Sequence, residues 1–244
     1  MPVVEISTKV PDKESLTVLF VWGRARGGSG RALQRIVEAI NMGFEDHHVR
    51  AVPLEVGPGG LFAGTQKKFL AAWSLRLLLV LQFLTHRVAN FFSSRLLGLI
   101  ISLPLARTGL LESVRGVNPD LVVFGWLGTS TVSFEELERL AVPFAVRYSD
   151  MWPLLPLAHY CRPMQLGLPD RSEQNRFLAR KVSALGKATA FITPSPWLAR
   201  LHRQRGAYSR STLEQIPNPI DTAKWSDAAA RWDMRQSLGV PKSD

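Results

Sequence analysis

A chain of 244 residues, 46% of them hydrophobic, has enough apolar material for one large or two small packed domains, which excludes a disordered chain. Its formal charge of +10 and pI near 10.3 point to an acidic partner, whether nucleic acid, an anionic membrane or a phosphorylated small molecule. The single cysteine, Cys161, excludes an intramolecular disulfide framework and a cysteine-rich zinc site, so a reducing cytoplasmic setting is expected.

The opening MPVVEISTKVPDKES is polar with mixed charge and lacks the basic-then-apolar order of a secretory signal, so secretion is not expected. Thr17 to Trp22 is a continuous run of strand-forming residues. A glycine-rich turn follows, and then Ala32, Leu33, Ile36, Val37 and Ile40 recur at helical spacing. Strand, glycine turn and helix make a corner where backbone N–H groups can meet an anion. A tight turn with Ser29 or Gly30 capping the helix fits the same residues. No Gly-Lys-Ser/Thr follows, and the dinucleotide spacing is absent. His48 to Leu54 reads as a second strand.

From Val56 to Leu111 there is no acidic residue, while Lys67, Lys68, Arg76, Arg87, Arg95 and Arg107 stand among long apolar runs. Arg76, His86 and Arg87 break those runs before they reach the ~20 residues that span a bilayer. An interfacial helix on anionic lipid fits this pattern, and so does a pair of core-facing helices with a solvated basic face. Val117 to Trp126 reads as a strand entered through an Asn-Pro-Asp turn, and Phe134 to Leu140 as a short helix. Arg171 to Lys187 reads as a basic amphipathic helix and Ala188 to Thr193 as a strand. A helix begun at proline and ended at Gly206 follows, then a last strand over Thr212 to Ile216. The alternation predicts an α/β fold, Rossmann-like, with a mostly parallel sheet and helices on both faces.

The stretch Pro143 to Tyr160 is the informative one. A short apolar strand, interrupted by Arg147, ends in a loop broken by Pro153 and Pro156, so Ser149, Asp150 and Trp152 fall at a strand's carboxyl end, where open parallel sheets bind ligands. A turn capped by Asp150 with Trp152 plugging the core is the competing reading. His159 and His202 read as structural or solvated, because no carboxylate cluster at metal spacing accompanies them, and no metal is expected.

Three pieces in order, GGSGRAL, SDMWP followed by HY, and ITPSPWLARL with IPNPIDTAKW, resemble the amino-terminal domain of family-4 glycosyltransferases of the GT-B fold. The likeness runs from Val18 to Trp225 and is greatest to the branch that builds bacterial exopolysaccharides such as colanic acid. The resemblance implies an acceptor-side lobe facing a donor-binding lobe, with retaining transfer of a sugar from a nucleotide-sugar to a glycan or glycolipid hydroxyl. It implies no cofactor beyond the nucleotide-sugar as co-substrate.

By resemblance, Gly28, Ser29 and Gly30 line the cleft and let substrate approach the backbone, and Arg31 adds charge. Asp150 accepts from acceptor hydroxyls, Trp152 walls a sugar ring, and Ser195 begins a helix under the cleft, where capping is the alternative role. Asn218 and Asp221 belong to a hinge. The family has histidine before the aspartate; here Ser149 stands there, preceded by Arg147 and Tyr148, and Phe124 replaces a histidine of the preceding strand. Serine can hydrogen-bond but cannot carry a proton near neutrality.

The division expected is a polar extension over 1–16, the acceptor-side domain over 17–222, and over 223–244 a hinge where a donor-binding domain begins. A chain without that domain is expected to be inactive alone, or to partner a separate donor lobe. The alternative is a non-catalytic membrane- or glycan-binding remnant. Expected partners are a glycan or lipid-linked acceptor and the anionic inner face of the plasma membrane. Nucleic acid is not expected, because the basic residues form no recognisable motif for it.

Overall fold

The computed structural model describes residues 15–23, 28–43, 49–56, 102, 108–127, 131–160 and 172–220, with short pieces at 81, 84–85, 88, 91, 222, 234 and 236–239. Six strands, β1 (Leu16–Trp22), β2 (Val49–Glu55), β3 (Leu121–Trp126), β4 (Phe144–Arg147), β5 (Ala190–Thr193) and β6 (Thr212–Gln215), form one parallel sheet. Their order across it is β2-β1-β3-β4-β5-β6. The helices are α1 (Gly28–Gly43), α2 (Leu110–Val117), α3 (Phe134–Glu138), α4 (Ser172–Leu185) and α5 (Pro196–Arg205). The fold is α/β and Rossmann-like, as the alternation of elements predicts.

The central strands are apolar on both sides because both sides are covered. Leu19 and Val21 of β1 join Val122, Phe124, Phe144 and Val146 in the larger core, with Leu110, Val114, Leu137, Leu185 and Leu198 from the helices. The alternate residues Phe20, Trp22, Val123 and Ala145 join Leu33 and Val37 of α1 in a smaller core on the opposite face. This division follows from connectivity. The chain steps one way from β1 to β2 and the other way from β3 to β6, and right-handed crossovers then put α1 on one face and the later helices on the other.

Local chemistry ends the elements where it should. Ser133 and Glu136 form a capping box at α3. The buried Glu136 carboxylate also accepts from the backbone N–H groups of Thr108 (2.8 Å) and Leu110 (3.1 Å), so one side chain ties the start of α2 to the start of α3. At α5, Ser195 Oγ accepts from the Leu198 N–H at 3.3 Å, and Gly206 closes the helix with φ of 60°.

Most expected elements lie within two residues of their observed bounds. The strand expected from Val117 is the exception. Val117 is the last residue of α2, Asn118 ends that helix in the left-handed region with φ of 50°, and β3 starts only at Leu121. Of the acid-free interval, Leu81, Leu84, Thr85, Val88 and Phe91 are described as helical, while Arg76, Arg87 and Arg95 lie outside the described residues. Among the described residues no helix is long and apolar enough to cross a membrane.

Candidate functional site

A parallel sheet whose strand order reverses leaves a crevice at the carboxyl ends beside the reversal, because the first helices on either side diverge to opposite faces. Here the crevice is a cleft of about 450 Å³. Gly28 and Ser29 at the start of α1 form one wall, Trp126 continues β3, and the Arg147–Asp150 segment continues β4. Ala32, His159, Tyr160, Pro194 and Asn218 complete the lining.

Gly125 explains how α1 comes so near the sheet. A Cβ built there would lie 1.9 Å from Leu33 Cδ1, so any side chain at that point of β3 would displace the Leu33 side chain that α1 packs against the sheet. The Gly125 carbonyl in turn accepts from Ser149 Oγ at 2.5 Å. One residue of β3 therefore both receives the Leu33 side chain of α1 and directs the Ser149 hydroxyl.

Asp150 forms the acidic side of the cleft and is held by three donors. Trp126 Nε1 reaches its Oδ2 at 2.9 Å, the Trp152 N–H reaches Oδ1 at 2.9 Å, and His159 Nδ1 lies 2.5 Å from Oδ2. A carboxylate only accepts, so Nδ1 carries a proton, and Nε2 lies 2.5 Å from Ser102 Oγ, within hydrogen-bond distance. His159, only 2% exposed, thus has both nitrogens engaged and acts as a pin for the loop. The charge of Asp150 still reaches the cleft. Partial burial, and after it this carboxylate, push the Tyr160 phenol up from its ordinary value.

Beneath this loop lies Lys181, fully buried. Its Nζ donates to the carbonyls of Trp152 (2.7 Å) and Leu155 (2.6 Å) and sits 3.5 Å from the centroid of the Trp152 ring. Burial holds its ammonium well below the usual lysine range, partly opposed by the attraction of Asp150.

The basic side of the cleft is Arg147. The pleat of β4 sends Phe144 and Val146 to the larger core and Ala145 to the α1 face, so Arg147 at the next alternate position also faces α1. It donates from Nη2 to Asn218 Oδ1. Burial draws its pKa down from the ordinary arginine value.

The cleft brings together Gly28, Ser29, Ser149, Asp150 and Asn218 of the residues singled out from sequence. Gly30 is buried in the first turn of α1, and Arg31 is exposed on that helix; neither lines the cleft. Trp152 is no wall for a sugar ring: it is 1% exposed and packed in the larger core. Ser195 caps α5 and is absent from the lining. Asp221 lies outside the described residues. The sequence reading did not assign Arg147, Trp126, His159 and Tyr160 to the site. For Arg147 a signal existed, since a lone cation in an apolar strand has to be facing something. His159 appeared structural, and its bond to Asp150 bears that part out.

Among the described residues no cluster of histidine, cysteine or carboxylate groups could hold a metal ion. No protein-family profile matches the chain, and no curated protein matches it. Among solved structures it is similar to Anabaena Alr3699/HepE in complex with UDP, at 15% identity and a TM-score of 0.41, covering 92% of this chain and 50% of that one. The same protein in complex with UDP-glucose gives the same values. Glycyrrhiza uralensis UGT73P12, complexed with glycyrrhetinic acid 3-O-monoglucuronide, is similar at 12% identity and a TM-score of 0.35, covering 93% of this chain and 53% of that one. The chain spans about half the length of these solved structures.

Proposed function

We propose that this domain is the acceptor-side half of a two-lobed glycosyltransferase of the GT-B type, in the family-4 branch that builds surface polysaccharide. One observation carries the reading: three motifs far apart in the chain, around Gly28, Asp150 and Asn218, meet on a single cleft at the carboxyl edge of the sheet. In that role the nucleotide-sugar enters between this domain and a donor-binding lobe, and the acceptor hydroxyl lies against Ser149 and Asp150. Ser149 Oγ already donates to Gly125, so toward a sugar it offers its lone pairs. Asp150 is fixed by three donors and gives a rigid acceptor that needs no reorganisation when charge develops nearby.

The test is a transfer assay and calorimetry with a panel of nucleotide-sugars, on the chain alone and mixed with a candidate donor-binding lobe. Turnover in the mixture that falls about a hundredfold with Asp150→Asn is the expected result. Absence of both nucleotide-sugar and glycan binding in every combination would sink the reading.

The site of action in this proposal is the cytoplasmic face of an anionic membrane. Leu81, Leu84, Val88 and Phe91, at helical spacing, are each more than half exposed, and the acid-free interval around them carries six basic residues. Co-sedimentation with anionic vesicles is expected to weaken with salt and with Leu84→Glu combined with Val88→Glu. Equal sedimentation of wild type and variant would remove the membrane from the proposal.

A further inference from the structure

We infer that the outer face of α4 and the groove at its carboxyl end form a docking surface for an acidic helical segment of a partner protein. The surface lies at the amino edge of the sheet, away from the cleft, and does not depend on the glycosyltransferase reading.

The sequence supplies the charge. From Gln174 to Leu213 there is no acidic residue, and eight lysines and arginines stand in that interval. Along α4 the helical period sorts the side chains. Lys181, Ala184 and Leu185 are buried, and Phe177 packs on the larger core. Arg176, Arg180 and Ser183 fall on the other side, four and three residues apart, and are exposed, and exposed Lys187 continues the row just beyond the helix. Among the described residues no carboxylate pairs with Arg176, Arg180 or Arg210. Like charges one helical turn apart repel, and a partner of opposite sign relieves that repulsion.

The row ends in a groove of about 350 Å³. Ser183, Gly186 and Lys187 form one wall, Ser209 and Arg210 form the other, and no acidic residue lines it. Because α4 leads into β5 and the loop after α5 leads into β6, the groove opens where these parallel strands begin, at the edge opposite the cleft. The carboxyl end of a helix ordinarily disfavours an anion. Here the carbonyls of Val182 and Leu185 are taken up by the N–H groups of Gly186 (2.7 Å) and Ala188 (2.9 Å), which leaves Lys187 and Arg210 as the formal charges on the groove.

Spacing and composition define the partner. Arg176 and Arg180 are offset by about 6 Å along the helix axis, the interval at which a second helix laid alongside presents its own residues one turn apart. None of the large exposed apolar side chains among the described residues belongs to α4 or to the loop after α5, so this face offers a bilayer no anchor. Tyr208, the aromatic residue of the groove, is 3% exposed and its hydroxyl donates to the Pro153 carbonyl at 2.6 Å, so no ring is presented for stacking bases. A row of carboxylates one turn apart on a helix matches the arginines in both sign and period.

Fluorescence anisotropy on the folded chain tests this with two labelled, alanine-rich peptides of about 20 residues and identical composition. One carries glutamates at positions i, i+4, i+7 and i+11, on one face, and the other has them dispersed around the helix. The one-faced peptide is expected to bind at least about fivefold tighter than its isomer, and to weaken with salt. Arg180→Ser combined with Arg210→Ser is expected to weaken it about tenfold. Arg35→Ser combined with Arg50→Ser removes the same charge from exposed positions on α1 and β2, at the far side of the sheet, and should leave binding unchanged. Circular dichroism verifies folding, and should the Arg180 and Arg210 pair fail that check, Arg180→Ser alone carries the test with a smaller loss.

Equal binding of the two peptides, no binding of either, or an equal loss in the two double variants would overturn the inference. So would displacement of the one-faced peptide by oligogalacturonate, single-stranded RNA or phosphatidylglycerol vesicles at a lower concentration of charge than the unlabelled peptide requires, since the face would then belong to that polyanion. Sugar transfer enters none of these readouts, so its presence or absence bears on the glycosyltransferase reading alone.

Discussion

The two charged sides of the cleft are built on opposite plans. Asp150 has three donors fixed on it, at 2.5 to 2.9 Å, and beneath its loop Lys181 is fastened to two carbonyls and an indole ring. Arg147, also buried, has one neutral acceptor among the described residues. Burial is therefore a poor guide to role in this molecule, and hydrogen-bond completeness is a better one. Among the described residues the acidic side is held in place by several donors, whereas the basic side has a single neutral partner.

Mutation can break that contrast or sharpen it. Asp150→Ala strands the Trp126 indole N–H, the Trp152 backbone N–H and the His159 ring N–H at once, and a loss of about 3 kcal/mol or more is expected in urea unfolding. A loss below about 1 kcal/mol would mean the three contacts are not holding the loop.

Lys181→Met is expected to act mainly on the pH dependence. The folded-state lysine value is depressed, so between that value and the ordinary 10.5 the unfolded chain binds more protons and stability rises with pH, by up to ~1.4 kcal/mol per unit for the one proton. Tyr148 and Tyr208 are raised by burial, so their contribution is fully present below about 10 and is lost as pH climbs above it. Thermal melting of the wild type across this range should rise and then fall, while Lys181→Met should keep only the alkaline fall. A rising limb of equal slope in the variant would show that another group causes it. The smallest effect belongs to Arg147→Met, which should leave stability within about 1 kcal/mol of wild type or increase it, because it removes a buried charge that no carboxylate among the described residues pairs. A loss as large as that of Asp150→Ala would erase the contrast.

How far these features can be read from the sequence depends on their range. The corner of β1, glycine-rich turn and α1 is legible because Leu33, Ile36, Val37 and Ile40 carry the helical period, and Gly206 marks the end of α5 by its own conformational freedom. Helix α2 is obscured because Val117 adjoins the apolar strand and continues its character, and only the left-handed Asn118 separates the two. The convergence of Ser29, Asp150 and Asn218 is legible as motifs at strand ends. The burial of Trp152 is not, since it depends on Lys181, 29 positions further along the chain, reaching back under its ring. The incompleteness of Arg147 is likewise a property of the assembled surroundings, because no local pattern says which carboxylates will be absent.

Gly125 has a consequence for how such a cleft can diversify. The missing side chain at this position leaves room for Leu33 of α1 to rest on the sheet, and the same residue's carbonyl orients the hydroxyl of Ser149. The aperture and the polar floor are thus geared together. A family that varied this one residue would change the width of its entrance and the aim of its acceptor group in a single step, while residues on the rim could be exchanged to suit different cargo without disturbing either.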